Sequence, residues 1–150
     1  MSNIDPSAVL YRRLIIESHI KKTGRVSSNA FKRYGVPDNS ISVDLASMTS
    51  PDESVNMDGE PNRALCQFSL SVATSSGFRI RHDPQLNTNP HPNLAHHVLD
   101  GNNDQFKCSE LAKQAEIIPR VVSLGTEQQW YDRAFKAFSI TWEMDQQAST

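Results

Sequence analysis

Cysteine is scarce in this chain: two residues, Cys66 and Cys108, among 150. They lie far apart and form no CxxC, which excludes a disulfide framework and a zinc ribbon and predicts two reduced thiols in a cytoplasmic protein. Long apolar runs are missing too. None approaches the roughly 18 residues that a membrane-spanning helix needs, so no membrane association is predicted. The start, "MSNIDPSAVLYRRL", carries an early Asp5 and no basic-then-apolar pattern, so no secretory signal is predicted. Three signatures of phosphate, nucleophile and zinc sites are also absent: GxxxxGK[ST], GxSxG and HExxH. There is no internal repeat and no low-complexity block.

What is present fits one globular unit. The hydrophobic share is 37% and the charged share 21%, too apolar and too balanced for a disordered chain. The net charge of −2 hides an asymmetry. Residues 1–36 hold seven bases against Asp5 and Glu17, a net of +5, and residues 37–62 hold six acids and no base. Two faces of opposite potential, or two segments that pair, are the expected result.

Local signals predict the elements. Asp5-Pro6 reads as the start of a helix, and Lys21, Lys22 and Gly24 as its cationic last turn and stop. The β-branched and aromatic "VLYRRLII" competes, as a strand over 9–16. "SISVDLAS" alternates, with Ile41, Val43 and Leu45 on one face. "SPDESVNM" is a capping box, Ser50 to Glu53, opening a short helix. "ALCQFSLSVATSSGFRIRHDP" alternates on both sides of "TSSG" and predicts a β-hairpin over about 64–82. "AHHVLD" and "RVVSL" are further strand candidates. "DQFKCSELAKQAEIIP" predicts a helix that stops before Pro119, with Leu111, Ala112, Ala115 and Ile118 on one stripe. "TEQQWYDRAFKAF" predicts a second helix, "FSITWEM" a final strand, and 145–150 a frayed tail. The predicted fold class is α+β: a single compact domain over 1–150, an antiparallel or mixed sheet with a central hairpin, and two C-terminal helices.

Four of the five histidines fall in "FRIRHDPQLNTNPHPNLAHHVLD". An enzyme reading takes His82, Asp83, His96 and Asp44 as the catalytic set. His82 and His96 would be an acid–base pair or the ligands of a divalent metal, in a hydrolase or nuclease. Because His96 and His97 are adjacent, they point to opposite faces of a strand, and only one can join His82. The alternative is a half-buried His82 beside solvated neighbours.

A second candidate is the basic N-terminal stretch, in which Arg12, Arg13, Lys21, Lys22, Arg25, Lys32 and Arg33 would track phosphates and Tyr11, Phe31 and Tyr34 would stack on bases; Arg12, Ser28, Phe31 and Arg81 are the candidate binding residues. Nucleic acid is disfavoured as its partner, because a pI of about 6.2 is far from that of a dedicated nucleic-acid binder. "GRVSSNAF" offers Gly24, Ser27, Ser28 and Asn29 as a polar anion-binding turn, against the simpler reading that these side chains satisfy their own backbone. Cys66 on an apolar strand face and Cys108 in a helix read as packed thiols, not nucleophiles.

The combination "RVSSNAFK", "SISVDLAS", "RIRHDP" and "NPHPNLAHHVLDG" resembles a pattern of small bacterial proteins with an SSxAF segment, an SVD strand, a DP turn and an Asn-Pro loop ending in Ala-His. The resemblance spans roughly 9–101 and brings no activity with it. It implies a bacterial origin and directs interest to Ser28, Phe31, Asp44, Asp83, Pro84 and His96. The chain also resembles ADP-ribosyltransferase-like toxins, in which an Arg or His of the first strand and a Ser or Thr of the second hold NAD. That resemblance implies roles for Arg12 and for Ser27 or Ser28, with a late Glu among Glu110, Glu116, Glu127 and Glu143. The leading expectation is an accessory or binding protein. It would act on a protein partner through a surface made by the 82–100 loop and the basic segment.

Overall fold

The structure, a computed structural model, describes residues 4–32, 39–86, 92–101 and 104–124. Its first element is a strand, β1 (Val9–Ile15), where the sequence slightly favours a helix. Asp5 is not a helix cap. Its carboxylate accepts the N–H and the hydroxyl of Ser7 in a tight turn, and the β-branched run that follows extends. Only one helical turn follows, α1 (Ile16–His19). The Gly24 stop signal belongs to a reverse turn: its N–H donates to Lys21 O at 2.8 Å with φ at +85°. A 3₁₀ turn occupies Ser28–Phe31, with Ser27 Oγ accepting from Asn29 N.

The alternating "SISVDL" is β2 (Asn39–Leu45), and the capping box opens α2 (Pro51–Val55), with Ser50 Oγ accepting from Glu53 N at 3.2 Å. The long alternating run divides. Residues Pro61–Ser69 form β3, but Ser69 Oγ then caps α3 (Leu70–Ser75) by accepting from Val72 N. The predicted hairpin over 64–82 is therefore absent: the stretch after Ser69 is helical, and β4 (Arg79–His82) lies far from β3 in the sheet. β4 instead pairs with β5 (His96–Gly101).

Helix α4 (Gln105–Gln114) starts where Asp104 Oδ1 accepts from Lys107 N. It ends four residues earlier than predicted. Glu116 and Ile117 pair with Gln67 and Cys66, so β6 (Glu116–Leu124) takes the chain through Pro119, at a register irregularity where Arg120 has φ of +66°. Of the two predicted C-terminal helices α4 is the first; the second, the final strand and the tail fall outside the described residues.

The six strands form one antiparallel sheet in the order β4-β5-β2-β1-β3-β6. The domain is α+β, and none of its described helices is long and apolar enough to cross a membrane. β1 pairs with β3 at all seven of its residues but with β2 only at Leu10↔Leu45 and Tyr11↔Asp44. Beyond those two pairs, side chains bridge the central strands. Arg12 Nη1 donates to Ser42 O and Arg13 Nη1 to Asp44 Oδ2, both at 2.9 Å.

The registers give the sheet two unlike faces. Leu10, Leu14, Ile41, Val43, Cys66, Phe68 and Leu99 share one face and bury against Phe31, Phe78, Cys108 and Leu111. Phe31 meets Phe68 edge to face at 5.6 Å between centroids. A Cβ at Gly101 would lie 2.6 Å from the Phe78 ring, so the ring packs directly on backbone. The other face carries Arg13, Ser42, Asp44, His96 and Asp100, and it is here that the polar chemistry gathers.

Candidate functional site

The β4–β5 pairing brings the histidine-rich segment together, but not in the predicted combination. His82 is opposite His97, and their rings stack at 4.4 Å and 24°. His96, one residue earlier in β5, projects from the other face. The expected His82–His96 pair is thus replaced by His82–His97. His82 Nε2–H donates to Leu94 O and His97 Nδ1–H to Ala95 O, at 3.2 and 2.8 Å. Burial, offset by the Ala95 carbonyl and reinforced by the neighbouring His82 and His96, holds His97 below its ordinary pKa. Within the stack His97 is buried and His82 is exposed. Among the described residues no group of three or more His, Cys, Asp or Glu is placed to hold a metal ion, so the metal reading of His82 and His96 has no ligand set there. His91 lies outside the described residues.

Asp44 is fully buried and fully engaged. It accepts from Arg13 at 2.9 Å, from Ser54 Oγ–H at 2.6 Å and from Asn93 Nδ2 at 2.8 Å. A buried carboxylate is costly unless it is paired and hydrogen-bonded, as this one is. Its position ties β1, β2, α2 and the segment before β5 into one unit.

His96 is different. Its Nδ1 lies 2.6 Å from the carbonyl oxygen of Asp83 and 3.5 Å from the carboxylate Oδ2 of the same residue. A carbonyl can only accept, so Nδ1 carries the proton of the neutral ring. That leaves the Nε2 lone pair for Ser42, whose hydroxyl donates to it at 2.9 Å. His96 is buried, whereas Ser42 and Asp83 are half-buried. Of the predicted set, therefore, Asp83 and His96 meet each other, while Asp44 and His82 do other things. Ser42 was missed. Its only signal was a place on the polar face of "SISVD".

No family profile matches this chain, and no curated protein or solved structure matches it. What its sites do has to be read from their own atoms.

The four predicted binding residues scatter. Phe31 is core, with no exposed ring to stack on a ligand. Arg12 clamps the fold through Ala30 O and Ser42 O. It does sit in a first strand, as the ADP-ribosyltransferase resemblance requires, but its guanidinium is turned to those carbonyls. Arg81 is exposed and pairs with Asp100 at 3.1 Å. Ser28 lines a cleft of about 660 Å³ between the 21–26 turn and α4. That cleft also presents Lys21, Arg25 and Lys113, with Val26, Ala112 and Ile117 as apolar wall, and no acid lines it among the described residues. Gln105 Nε2 donates to both Ser28 Oγ and Ser109 Oγ at 3.0 Å, fixing two hydroxyls at its edge. Lys113 pairs with Glu110 at 3.3 Å. Both thiols are packed: burial pushes Cys66 up to about 12 and raises Cys108, whose S–H donates to Phe31 O.

Proposed function

We propose that this is a cytoplasmic bacterial accessory protein that binds a small anionic ligand through its basic N-terminal surface. The observation that carries the reading is the cleft beside the 21–26 turn. Its volume lies within the roughly 300–1,000 Å³ of small-molecule sites, and its walls combine Lys21, Arg25 and Lys113 with the Ser28 and Ser109 hydroxyls. Cations with hydroxyls and an amide recognise phosphate or carboxylate, and the apolar wall accommodates an uncharged body. The 82–100 segment, the other half of the expected surface, is not part of this cleft's described lining.

Calorimetric titration with adenosine monophosphate and with inorganic phosphate tests this. Binding of the nucleotide should weaken at least about tenfold in a Lys21→Glu, Arg25→Glu variant, as loss of two charge-assisted contacts implies. Absence of binding to the unaltered protein, or equal affinity in the variant, would overturn it.

A further inference from the structure

We infer that Ser42 is a nucleophile activated by His96, and that the polar face of the sheet carries an acyl-transfer site acting on small carboxylic esters. Three features point there. The Ser42 hydroxyl donates to His96 Nε2 at 2.9 Å, within the reach a general base needs. The tautomer is fixed by the Asp83 carbonyl 2.6 Å from Nδ1, so the basic nitrogen faces the hydroxyl. The Asp83 carboxylate, 3.5 Å from the same nitrogen, stabilises the imidazolium formed when the proton arrives. Nucleophile, base and a group that orients the base are the three roles of a serine hydrolase, recognised by geometry irrespective of chain order; here the Asp83 carbonyl orients the ring and its carboxylate adds charge beside it.

They come from three places: β2, β5 and the turn after β4. Each position follows from the ladder. Ser42 and Arg81 are both opposite Val98, and Asp44 is opposite His96, so Ser42 and His96 are diagonal neighbours on one face. Arg81 projects from that same face on the next strand outward. It is an exposed cation, paired with Asp100 at 3.1 Å, and the negative end of a substrate or the oxyanion would compete for it with that carboxylate.

The chemistry closes on these residues and water. Ser42 Oγ attacks the ester carbonyl carbon as its proton passes to His96 Nε2. The bond to the alkoxide leaving group breaks, and the alkoxide takes that proton and departs as an alcohol. A water then attacks the acyl-serine, giving its proton to His96. The acyl–oxygen bond to Ser42 breaks, Ser42 recovers the proton, and the carboxylic acid leaves. The sum is ester plus water to acid plus alcohol.

A fluorophosphonate probe with intact-mass and peptide analysis tests the inference on the full chain. One adduct is expected, on Ser42, absent in Ser42→Ala. His96→Gln should slow labelling by about 10²–10⁴-fold, the range for loss of a general base. Asp83→Asn, which keeps the carbonyl contact to Nδ1, should slow it less. An adduct-free protein, label on Ser71 or another exposed serine, or undiminished labelling of Ser42 in a folded His96→Gln variant would each overturn it. The unaltered protein's result stands even if His96→Gln fails to fold. The cleft lies on the other side of the sheet's polar chemistry, so Lys21→Glu, Arg25→Glu should leave labelling unchanged, and the two readings fail separately.

Discussion

At the residue scale, His19 shows how much a side chain's role depends on where the backbone puts it. It is the one histidine outside the histidine-rich segment. Its Nδ1 accepts the Ile15 N–H at 2.9 Å, which holds the first turn of chain after β1. Burial, then the charges of Arg12 and Arg63, push it down to about 4 from the usual 6.5. Between those values the unfolded chain takes up a proton that the folded one refuses. Stability from this residue is therefore complete above about pH 6.5 and is lost as pH falls toward 4. At about 1.4 kcal/mol per pH unit, cut down because the ring is half open to solvent, the loss should be on the order of 1–2 kcal/mol. Denaturant midpoints at pH 7.5 and 4.5 measure it. His19→Asn, which keeps an acceptor near the Nδ1 position, should show a smaller drop, and an equal drop in both proteins would remove His19 as its source. His97, also held below its ordinary value, adds loss in the same direction.

At the element scale, single hydroxyls decide where strands stop. The alternation in "LCQFSLSV" runs on past Ser69 without a break, and read as a pattern it continues the strand. Ser69 ends it by capping α3 at 3.2 Å. Ser69→Ala should cost about 1 kcal/mol, the usual worth of such a cap, visible as a lower denaturant midpoint with an unchanged slope. No loss of stability would mean that tertiary packing of Leu70 and Ala73, not the cap, holds the helix. The same contest explains which elements were legible. "SISVDL" and "SPDESV" carry their signals within themselves, an alternation and a capping box, and both form as read. β1 and the start of β6 carry helix signals that long-range pairing overrides: Val9–Ile15 with β3, and Glu116–Ile117 with Gln67–Cys66. The candidate site was half legible for the same reason. Asp83 and His96 stand out by type, but Ser42 gains meaning only when the β2–β5 register sets it diagonal to His96.

At the scale of the whole molecule, the sheet is two leaves of three strands, β4-β5-β2 and β1-β3-β6, joined at the middle. One leaf carries the Asp83, His96 and Ser42 array. The other holds Arg12 and Arg13, which reach across, and the Asp44 cluster locks the junction from the polar face. Between the leaves the backbone contributes only two residue pairs, against seven between β1 and β3. A boundary closed mainly by side chains opens as a unit without unfolding either half. Amide exchange should report this as two classes within one strand: β1 amides bonded toward β3 exchanging only with global unfolding, and those facing β2 exchanging faster. In Arg12→Ala the second class should quicken further, and uniform protection along β1 would mean the halves never part. Two leaves that breathe against each other at Ser42's own carbonyl would make the reach from Ser42 to His96 a quantity that fluctuates with the sheet, because the carbonyl that the β1 arginine holds and the hydroxyl that faces the histidine belong to one residue of β2.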